Sequence, residues 1–430
     1  MRLLFRGGRV IDPQAGTDRV EDLLVENGVI ADRGNELLPR DLLGNPPADV
    51  AVVDASGLCI APGLVDMRVQ LREPGEEHKE NIVSAAAAAA AGGVTTLACL
   101  PNTDPVIDEP SLIEFIARRA SELARVRIHA YGAITRGRAG KQLTEMGLMS
   151  AAGAVGFTDS PRTVVDALVM RRALGYARTY DQLILNHPEE PSLAAGGAMT
   201  EGEIATRLGL PGIPAAAEVM QVERDLRLVE LTNTRYHTGP LTTAAAIEAV
   251  RAAKRRGLPV TADTAPHYFA LNETAIGDYR TFTKVSPPLR GEWDRRAVVD
   301  GLTDGTIDAI ASDHAPQDQD SKRLPFQQAE FGMIGLETLL PLGLELVHNG
   351  FLTLVELIAR LSSNPARILR CAGGTLARGA PADLVLFDPA KPWRIDEKAF
   401  RSKSKNTPFD GRPVQGRAVG TWLGGRRVHG

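Results

Sequence analysis

Polar side chains that could do chemistry follow several apolar, strand-like runs in the middle of the chain. The segment Asp313-His314-Ala315-Pro316 comes directly after the apolar run 307–312. A carboxylate at the end of a strand could ligate a metal ion or act as a general base. A single aspartate there could also cap a turn. Because other polar groups follow neighbouring runs in the same way, we assign the catalytic role to Asp313.

Two further residues could share a metal site with Asp313. His187 and Asp159 each follow an apolar run, and they offer an imidazole nitrogen and a carboxylate that could bridge divalent ions. A hydrogen-bonded structural histidine and a turn-shaping aspartate are the alternative interpretations. Zinc sites normally use three or four protein ligands. The predicted metal set is therefore Asp159, His187 and Asp313.

Arg72 and Asn102 are candidates for binding a small polar substrate. Arg72 lies just past the run 64–70, and its planar guanidinium suits a substrate carboxylate. A salt bridge to Glu73 or Glu76 would explain the same arginine without a ligand. Asn102 follows the run 94–100 and could either bond the same ligand through its amide or cap the turn.

The apolar runs that position these residues alternate with helix-like segments, which is the pattern of repeated βα units. Eight such units close a (β/α)8 barrel, and the residues after its strands form the active site. We therefore predict an α/β protein with a TIM-like barrel over residues 61–370. The eight predicted strands are 64–70, 94–100, 127–131, 154–158, 183–186, 235–238, 259–263 and 307–312.

Both ends of the chain are rich in short strand-like runs separated by glycine and proline. Neither end has enough strands to cover a hydrophobic face alone. We predict that residues 1–60 and 373–430 together form one small β-sandwich domain beside the barrel.

Composition excludes several classes of function. The 430 residues are 43% hydrophobic and 24% charged, as in folded globular proteins. The 49 Lys and Arg against 53 Asp and Glu give a net charge of -4, so we expect no nucleic-acid partner and no attraction to anionic membranes. Residues 82–100 lack charge, but seven successive alanines (85–91), followed by two glycines, predict a helix and then a strand, and not a membrane span. Three dispersed cysteines and the lack of a signal-peptide pattern predict a cytoplasmic protein.

Eight segments, in the same order along nearly the whole chain, resemble those of class I dihydroorotases of the amidohydrolase superfamily. The resemblance implies a zinc-containing barrel with a flanking β-sandwich. It also implies an enzyme of pyrimidine biosynthesis that catalyses the reversible ring closure of carbamoyl-aspartate to dihydroorotate. Arg72, Asn102, Asp159, His187 and Asp313 match family positions. The segments are APGLVD (61–66), LREPG (71–75), LPNT (100–103), EGE (201–203), KVSPPLR (284–290), DHAP (313–316), FGMIGLET (331–338) and SKSKNTPF (402–409).

The chain departs from the family pattern at its histidines. The family's His-x-His metal pair corresponds to Arg68 and Gln70, and its histidine after the sixth strand corresponds to Pro240. At two substrate-binding positions, Ser286 replaces an asparagine and Gln317 replaces a histidine. A positive unit charge 4 Å from the guanidinium of Arg68 would be repelled by about 4 kcal/mol even when the interaction is screened. A divalent cation would be repelled by about twice that energy. We therefore expect no zinc or weakly bound zinc.

These departures predict a non-catalytic member of the family. Without a metal that lowers the pKa of bound water, Asp313 would have to activate neutral water. The resemblance to non-catalytic dihydroorotase-like chains implies a structural or regulatory role beside aspartate carbamoyltransferase, and a homo-oligomer is also expected. We also predict that Arg68 finds its counter-charge in Asp159, Asp313 or both.

Two alternatives remain open at the level of the sequence. One is an active dihydroorotase with a reduced metal site held by Asp159, His187 and Asp313. The other is a hydantoinase or allantoinase activity, which the Arg72 and Asn102 segments disfavour.

Overall fold

The computed structural model describes residues 2–38, 47–123 and 125–430. The strands in this part of the chain are β1 (Arg2–Asp12), β2 (Thr17–Glu26), β3 (Val29–Gly34), β4 (Val50–Asp54), β5 (Cys59–Pro62), β6 (Leu64–Val69), β7 (Val94–Cys99), β8 (Arg127–Ala130), β9 (Ile184–Asn186), β10 (Met199–Thr200), β11 (Gly212–Ile213), β12 (Tyr236–Thr238), β13 (Val260–Thr264), β14 (Ala309–Ile310), β15 (Leu384–Arg394), β16 (Pro413–Leu423) and β17 (Arg426–His429).

The α-helices alternate with the strands from β6 onward. They are α1 (Ile82–Ala91), α2 (Pro110–Leu123), α3 (Met146–Ala151), α4 (Ala167–Thr179), α5 (Pro191–Ala194), α6 (Glu203–Leu208), α7 (Ala216–Thr232), α8 (Ala244–Arg255), α9 (Pro266–Ala270), α10 (Glu292–Thr303), α11 (Gln319–Lys322), α12 (Leu339–His348), α13 (Leu354–Ile358) and α14 (Asn364–Leu369).

Strands from both chain ends form one eight-stranded sheet in the order β17-β16-β15-β5-β1-β2-β3, with β4 also paired to β1. The two ends join where Ala61 of β5 pairs antiparallel with Val385 of β15. The ring of Phe5 on β1 lies 4.9 Å from the ring of Trp422 on β16, although two strands separate β1 from β16 in the sheet. Since neighbouring strands are about 4.8 Å apart, the sheet must curl over on itself and enclose a core.

The middle of the chain closes into a barrel of eight parallel positions. β6, β7 and β8 form one arc, and β9, β12, β13 and β14 form another. Phe157 links the arcs on one side, because its backbone bridges to Gly132 and to Ile184. Val69 links them on the other side through a parallel bridge to His314. All eight predicted strands contribute, but the run 154–158 is reduced to the bridge at Phe157.

The uncharged stretch 82–100 forms α1 and β7, as its composition predicts. The buried alanines of α1 pack into the main core of the barrel. Gly93, just after the helix, has φ +85, a conformation that favours glycine. At Gly92 a side chain would not fit, because its Cβ would lie 2.1 Å from the carbonyl oxygen of Leu336. Of the helices in the described ranges, none combines the length and apolar character needed to cross a membrane.

Candidate active site at the barrel mouth

The side chain of Arg68 points from β6 into the mouth of the barrel. Its Nη2 lies 3.1 Å from Oδ2 of Asp263, at the end of β13. The same nitrogen donates to the carbonyl oxygen of Gly239 at 2.6 Å, and Nη1 donates to Oγ of Ser160 at 3.3 Å. Because these partners lie in or just after three other strand positions of the barrel, the guanidinium occupies the centre of the mouth.

The ion pair between Arg68 and Asp263 is fully buried, with side-chain exposures of 1% and 0%. Burial raises the pKa of Asp263, but the charges and hydrogen bonds of Arg68 and His237 together outweigh burial, and the net effect lowers that pKa. For Arg68, burial lowers the pKa, but the charges of Asp263 and Asp313, together with smaller contributions, outweigh burial and raise it. His237 also contacts the pair, with Nε2 3.2 Å from Oδ2 of Asp263. Both members of the pair therefore stay charged at neutral pH.

The prediction that Arg68 pairs with Asp159 or Asp313 is wrong about the partner. The carboxylate of Asp159 accepts hydrogen bonds from the backbone nitrogen of Thr135, at 3.0 Å, and from its hydroxyl group. Asp313 acts on Arg68 through its charge, whereas the ion pair is made by Asp263. Barrel closure brings the end of β13 close to β6, so Asp263 lies within ion-pair distance of Arg68. The guanidinium therefore pairs with Asp263 and not with Asp159 or Asp313.

Most of the predicted site residues surround one cavity of about 290 Å³ next to the ion pair. Ser160 connects the two, because it lines the cavity and accepts a hydrogen bond from Arg68. Asp159 lies outside the lining, since its carboxylate is turned toward Thr135. The predicted residues and family positions in the lining are Gln70, Arg72, Asn102, His187, Ser286, Asp313 and Gln317.

The polar groups in the cavity are partly occupied by protein partners. Arg72 donates from Nη1 to Glu76 at 2.7 Å and from Nε to the carbonyl oxygen of Pro316 at 3.1 Å, so the salt bridge considered above is present. Asn102 donates to Oε1 of Gln70 at 2.9 Å. Gln317 is different, because its Oε1 is buried without a hydrogen-bond partner in the described structure. A ligand could therefore meet Nη2 of Arg72 and the free oxygen of Gln317.

Asp313 sits at the cavity wall in a left-handed backbone conformation, with φ +51. Burial, together with the negative charges of Asp263 and Asp66, raises its pKa to about 7, although Arg68 acts in the opposite direction. His267 approaches it, with Nε2 3.7 Å from Oδ2. Burial lowers the pKa of His267 to about 3, so this imidazole is neutral near pH 7.

His187 is also a neutral imidazole, because burial and the charge of Arg68 lower its pKa to about 3. Its Nε2 lies 3.4 Å from Oγ of Ser286. Asp263 and His267, which meet Arg68 and Asp313, are not among the site residues predicted from the sequence. Asp263 ends the seventh predicted strand, 259–263, and His267 follows it. Their position at the end of a strand was the signal that could have identified them as site residues.

The residues at the mouth do not fit a zinc centre. Within the described ranges, no three His, Cys, Asp or Glu side chains come together in a way that could hold a metal ion. Of the groups nearest the centre, Asp263 is held by Arg68 and Asp159 by Thr135. The predicted set of Asp159, His187 and Asp313 is thus not assembled around a common point.

Comparison with known proteins identifies the family. Residues 57–245 match the dihydro-orotase-like family model. Over 429 residues, the chain is 46% identical to a dihydroorotase of Syntrophus aciditrophicus, covering 100% of this chain and 99% of that protein. It is 47% identical over 429 residues to a dihydroorotase of Pelobacter propionicus, covering 100% of both proteins.

The chain belongs to the dihydroorotase family. Solved structures agree on the wider superfamily and on the fold. The L-hydantoinase of Arthrobacter aurescens superimposes with a TM-score of 0.87 and 25% identity, covering 99% of this chain and 96% of that one. A dihydropyrimidinase from Brevibacillus agri shares the fold, with a TM-score of 0.84, 21% identity, and coverage of 100% of this chain and 95% of that one. The predicted TIM-like barrel with a sheet domain from both chain ends is thereby confirmed, as is the predicted family.

Proposed function

We propose that this dihydroorotase-like chain is a non-catalytic protein of de novo pyrimidine biosynthesis, and that it serves as a structural or regulatory partner of aspartate carbamoyltransferase. The observation that carries the proposal is the buried ion pair of Arg68 with Asp263 at the centre of the barrel mouth. The family places its metal-binding histidines at positions 68 and 70, where this chain has arginine and glutamine.

The ion pair opposes metal binding in two ways. The guanidinium of Arg68 brings a permanent positive charge to the place where a divalent cation would sit. It also occupies the carboxylate of Asp263, which could otherwise attract a cation. Restoring a metal centre would require breaking a fully buried pair, at a cost of about 3–5 kcal/mol. Water activation by a metal is therefore disfavoured in this chain.

An active dihydroorotase is the second candidate, and Asp313 is the observation that favours it. Its pKa is raised to about 7, which suits a general base at neutral pH. It shares the cavity with Arg72 and Asn102, which match family substrate positions. Under this alternative, Asp313 would remove a proton during ring closure or opening without a metal-bound water.

The partnership with aspartate carbamoyltransferase is supported by the resemblance to non-catalytic family members that assemble with that enzyme. A chain that keeps the whole family fold while losing its metal ligands can still present the family's outer surface. That surface, and not the barrel mouth, would then be the functional part of the protein. A homo-oligomer on its own is the other arrangement we consider.

Metal content and turnover test the non-catalytic proposal. Protein purified with zinc in all buffers is analysed for bound metal, and the conversion between dihydroorotate and carbamoyl-aspartate is measured for the wild type and for Asp313→Asn. We expect far less than one zinc per chain and the same background rate in both proteins. Stoichiometric, chelator-resistant zinc, or ordinary turnover that Asp313→Asn abolishes, would overturn the proposal.

Co-expression tests the partnership. The chain and the aspartate carbamoyltransferase of the same organism are expressed together and separated by size-exclusion chromatography with mass detection. We expect a stable complex of defined stoichiometry, formed equally by wild type and Asp313→Asn. Separate elution of the two proteins at micromolar concentration would contradict the partnership.

A further inference from the structure

A second groove lies outside the cavity described above, at the rim of the barrel mouth. We call it the outer groove, and it encloses about 830 Å³. It meets the site cavity at Pro161 and His187, which line both. The outer groove has three cationic lining residues, Arg138, Lys141 and Arg162, and none of them lines the site cavity.

Arg138 is the central residue of the outer groove because it is half-buried without a carboxylate partner. Its Nη1 makes only long contacts, to the carbonyl oxygens of Asp159 at 3.5 Å and Ser160 at 3.4 Å. Its Nε is buried and has no hydrogen-bond partner in the described structure. A guanidinium taken out of water in this way is costly unless an anion compensates it.

Neighbouring cations add to this unpaired charge. Burial, then the positive charges of Arg162 and Arg72, lower the pKa of Arg138 to about 10, although the more distant charges of Asp159 and Glu76, which form no ion pair with it, act in the opposite direction. Arg72 is compensated by Glu76, but among the described residues no carboxylate pairs with Arg162 or Lys141. The chain as a whole has a net charge of -4, so this concentration of positive charge is local.

Two acidic residues also line the outer groove, and both have other partners. Asp166 caps α4, because its Oδ1 accepts from the backbone nitrogens of Leu168 and Val169 at 2.8 and 3.0 Å. Glu189 accepts from Oγ of Ser286 at 3.0 Å. Burial raises the pKa of Glu189. Neither residue neutralises Arg138.

We propose that the outer groove binds a small dianion, either a phosphate group or a pair of carboxylates, through Arg138, Arg162 and Lys141. Two guanidiniums and one ammonium around a concave space match the charge and the several oxygens of such a group. A long polyanion is a poorer match, because the net negative charge of the chain repels it. The proposal does not depend on whether Asp313 turns over a substrate.

Anion binding to four proteins tests the proposal. They are the wild type, Arg138→Gln, Arg162→Gln and the matched control Arg171→Gln, which removes an exposed arginine of α4 that does not line the outer groove. Isothermal titration calorimetry with inorganic phosphate and, separately, with malonate is carried out at constant ionic strength. Unfolding temperature with and without each anion provides a second readout.

We expect saturable binding at one site per chain in the wild type and in Arg171→Gln. Binding should weaken at least tenfold in Arg138→Gln and in Arg162→Gln, and the anion should no longer raise their unfolding temperature. Tighter binding of phosphate would identify a phosphate group as the ligand chemistry, and tighter binding of malonate a dicarboxylate. No saturable binding of either anion, or equal affinity in all four proteins, would overturn the proposal. Because Arg162 is exposed, its variant gives a clear result even if Arg138→Gln fails to fold.

Discussion

The buried ion pair at the barrel mouth makes a sharp prediction about stability. In Asp263→Asn, the guanidinium of Arg68 keeps its contacts with Gly239 and Ser160 but loses its counter-charge. Breaking a buried pair by removing one partner costs about 3–5 kcal/mol. We expect a loss in this range in the free energy of unfolding.

The converse variant should cost less. In Arg68→Met, Asp263 becomes the unpaired charge, but burial, no longer opposed by Arg68, raises the pKa of its carboxyl, which can then lose its charge by taking up a proton. We therefore expect a loss near the lower end, about 3 kcal/mol. The double variant Arg68→Met/Asp263→Leu removes both charges, so its loss should be smaller than the sum of the two single losses by about 3 kcal/mol.

Urea denaturation followed by circular dichroism and tryptophan fluorescence measures these losses. Arg370→Met is the matched control, because its pair with Asp181 is even closer, at 2.6 Å against 3.1 Å, but exposed to solvent at 55% and 63%. An exposed pair contributes about 1 kcal/mol or less. Two results would refute the stabilising role of the buried ion pair. One is that Asp263→Asn lowers the free energy of unfolding by no more than Arg370→Met does. The other is that the loss in the double variant equals the sum of the two single losses.

Three further predictions follow. The triple variant R68H/Q70H/P240H should bind more zinc than the wild type, because it removes the guanidinium and restores the family's imidazoles, and an unchanged zinc content by elemental analysis would contradict this. Burial lowers the pKa of Lys322 to about 7, so the unfolded chain holds a proton that the folded chain has lost. Stability should then rise by about 1.4 kcal/mol per unit between pH 7 and 10, and Lys322→Met should flatten this slope in urea titrations. Burial raises the pKa of Glu337 to about 7, so stability should fall by up to about 1.4 kcal/mol per unit from pH 4.5 to 7, and an equal fall in Glu337→Gln would contradict the assignment.

Apolar patterning predicted the barrel well, because strand burial depends mainly on local sequence. The runs at 64–70 and 94–100 became β6 and β7 with ends shifted by one residue. The exception is 154–158, where two isolated bridges of Phe157, to Gly132 and to Ile184, replace a regular strand. The pairing of the chain ends was also predictable, since each end lacks enough strands to bury its own apolar face.

The site was harder to predict, because it depends on which strand ends face each other. Position in the sequence placed Arg72, Asn102, His187 and Asp313 at the mouth, and they do line one cavity. Side-chain direction could not be deduced in the same way. Asp159 also follows a strand position, yet the hydroxyl and backbone nitrogen of Thr135 turn its carboxylate away from that cavity.

Backbone contacts close the barrel at positions 68 and 70. The backbone nitrogen of Gln70 donates to the carbonyl oxygen of His314 at 2.9 Å, beside the bridge that joins β6 to the last barrel position. Oδ1 of Asp66 accepts from the backbone nitrogens of Ser312 and Arg68, at 3.1 and 3.2 Å. These contacts use the backbone of residues 68 and 70, so they persist whatever side chains stand there. Arg68 and Gln70 therefore stand on a strand that backbone contacts hold in register, independently of the chemistry of their side chains.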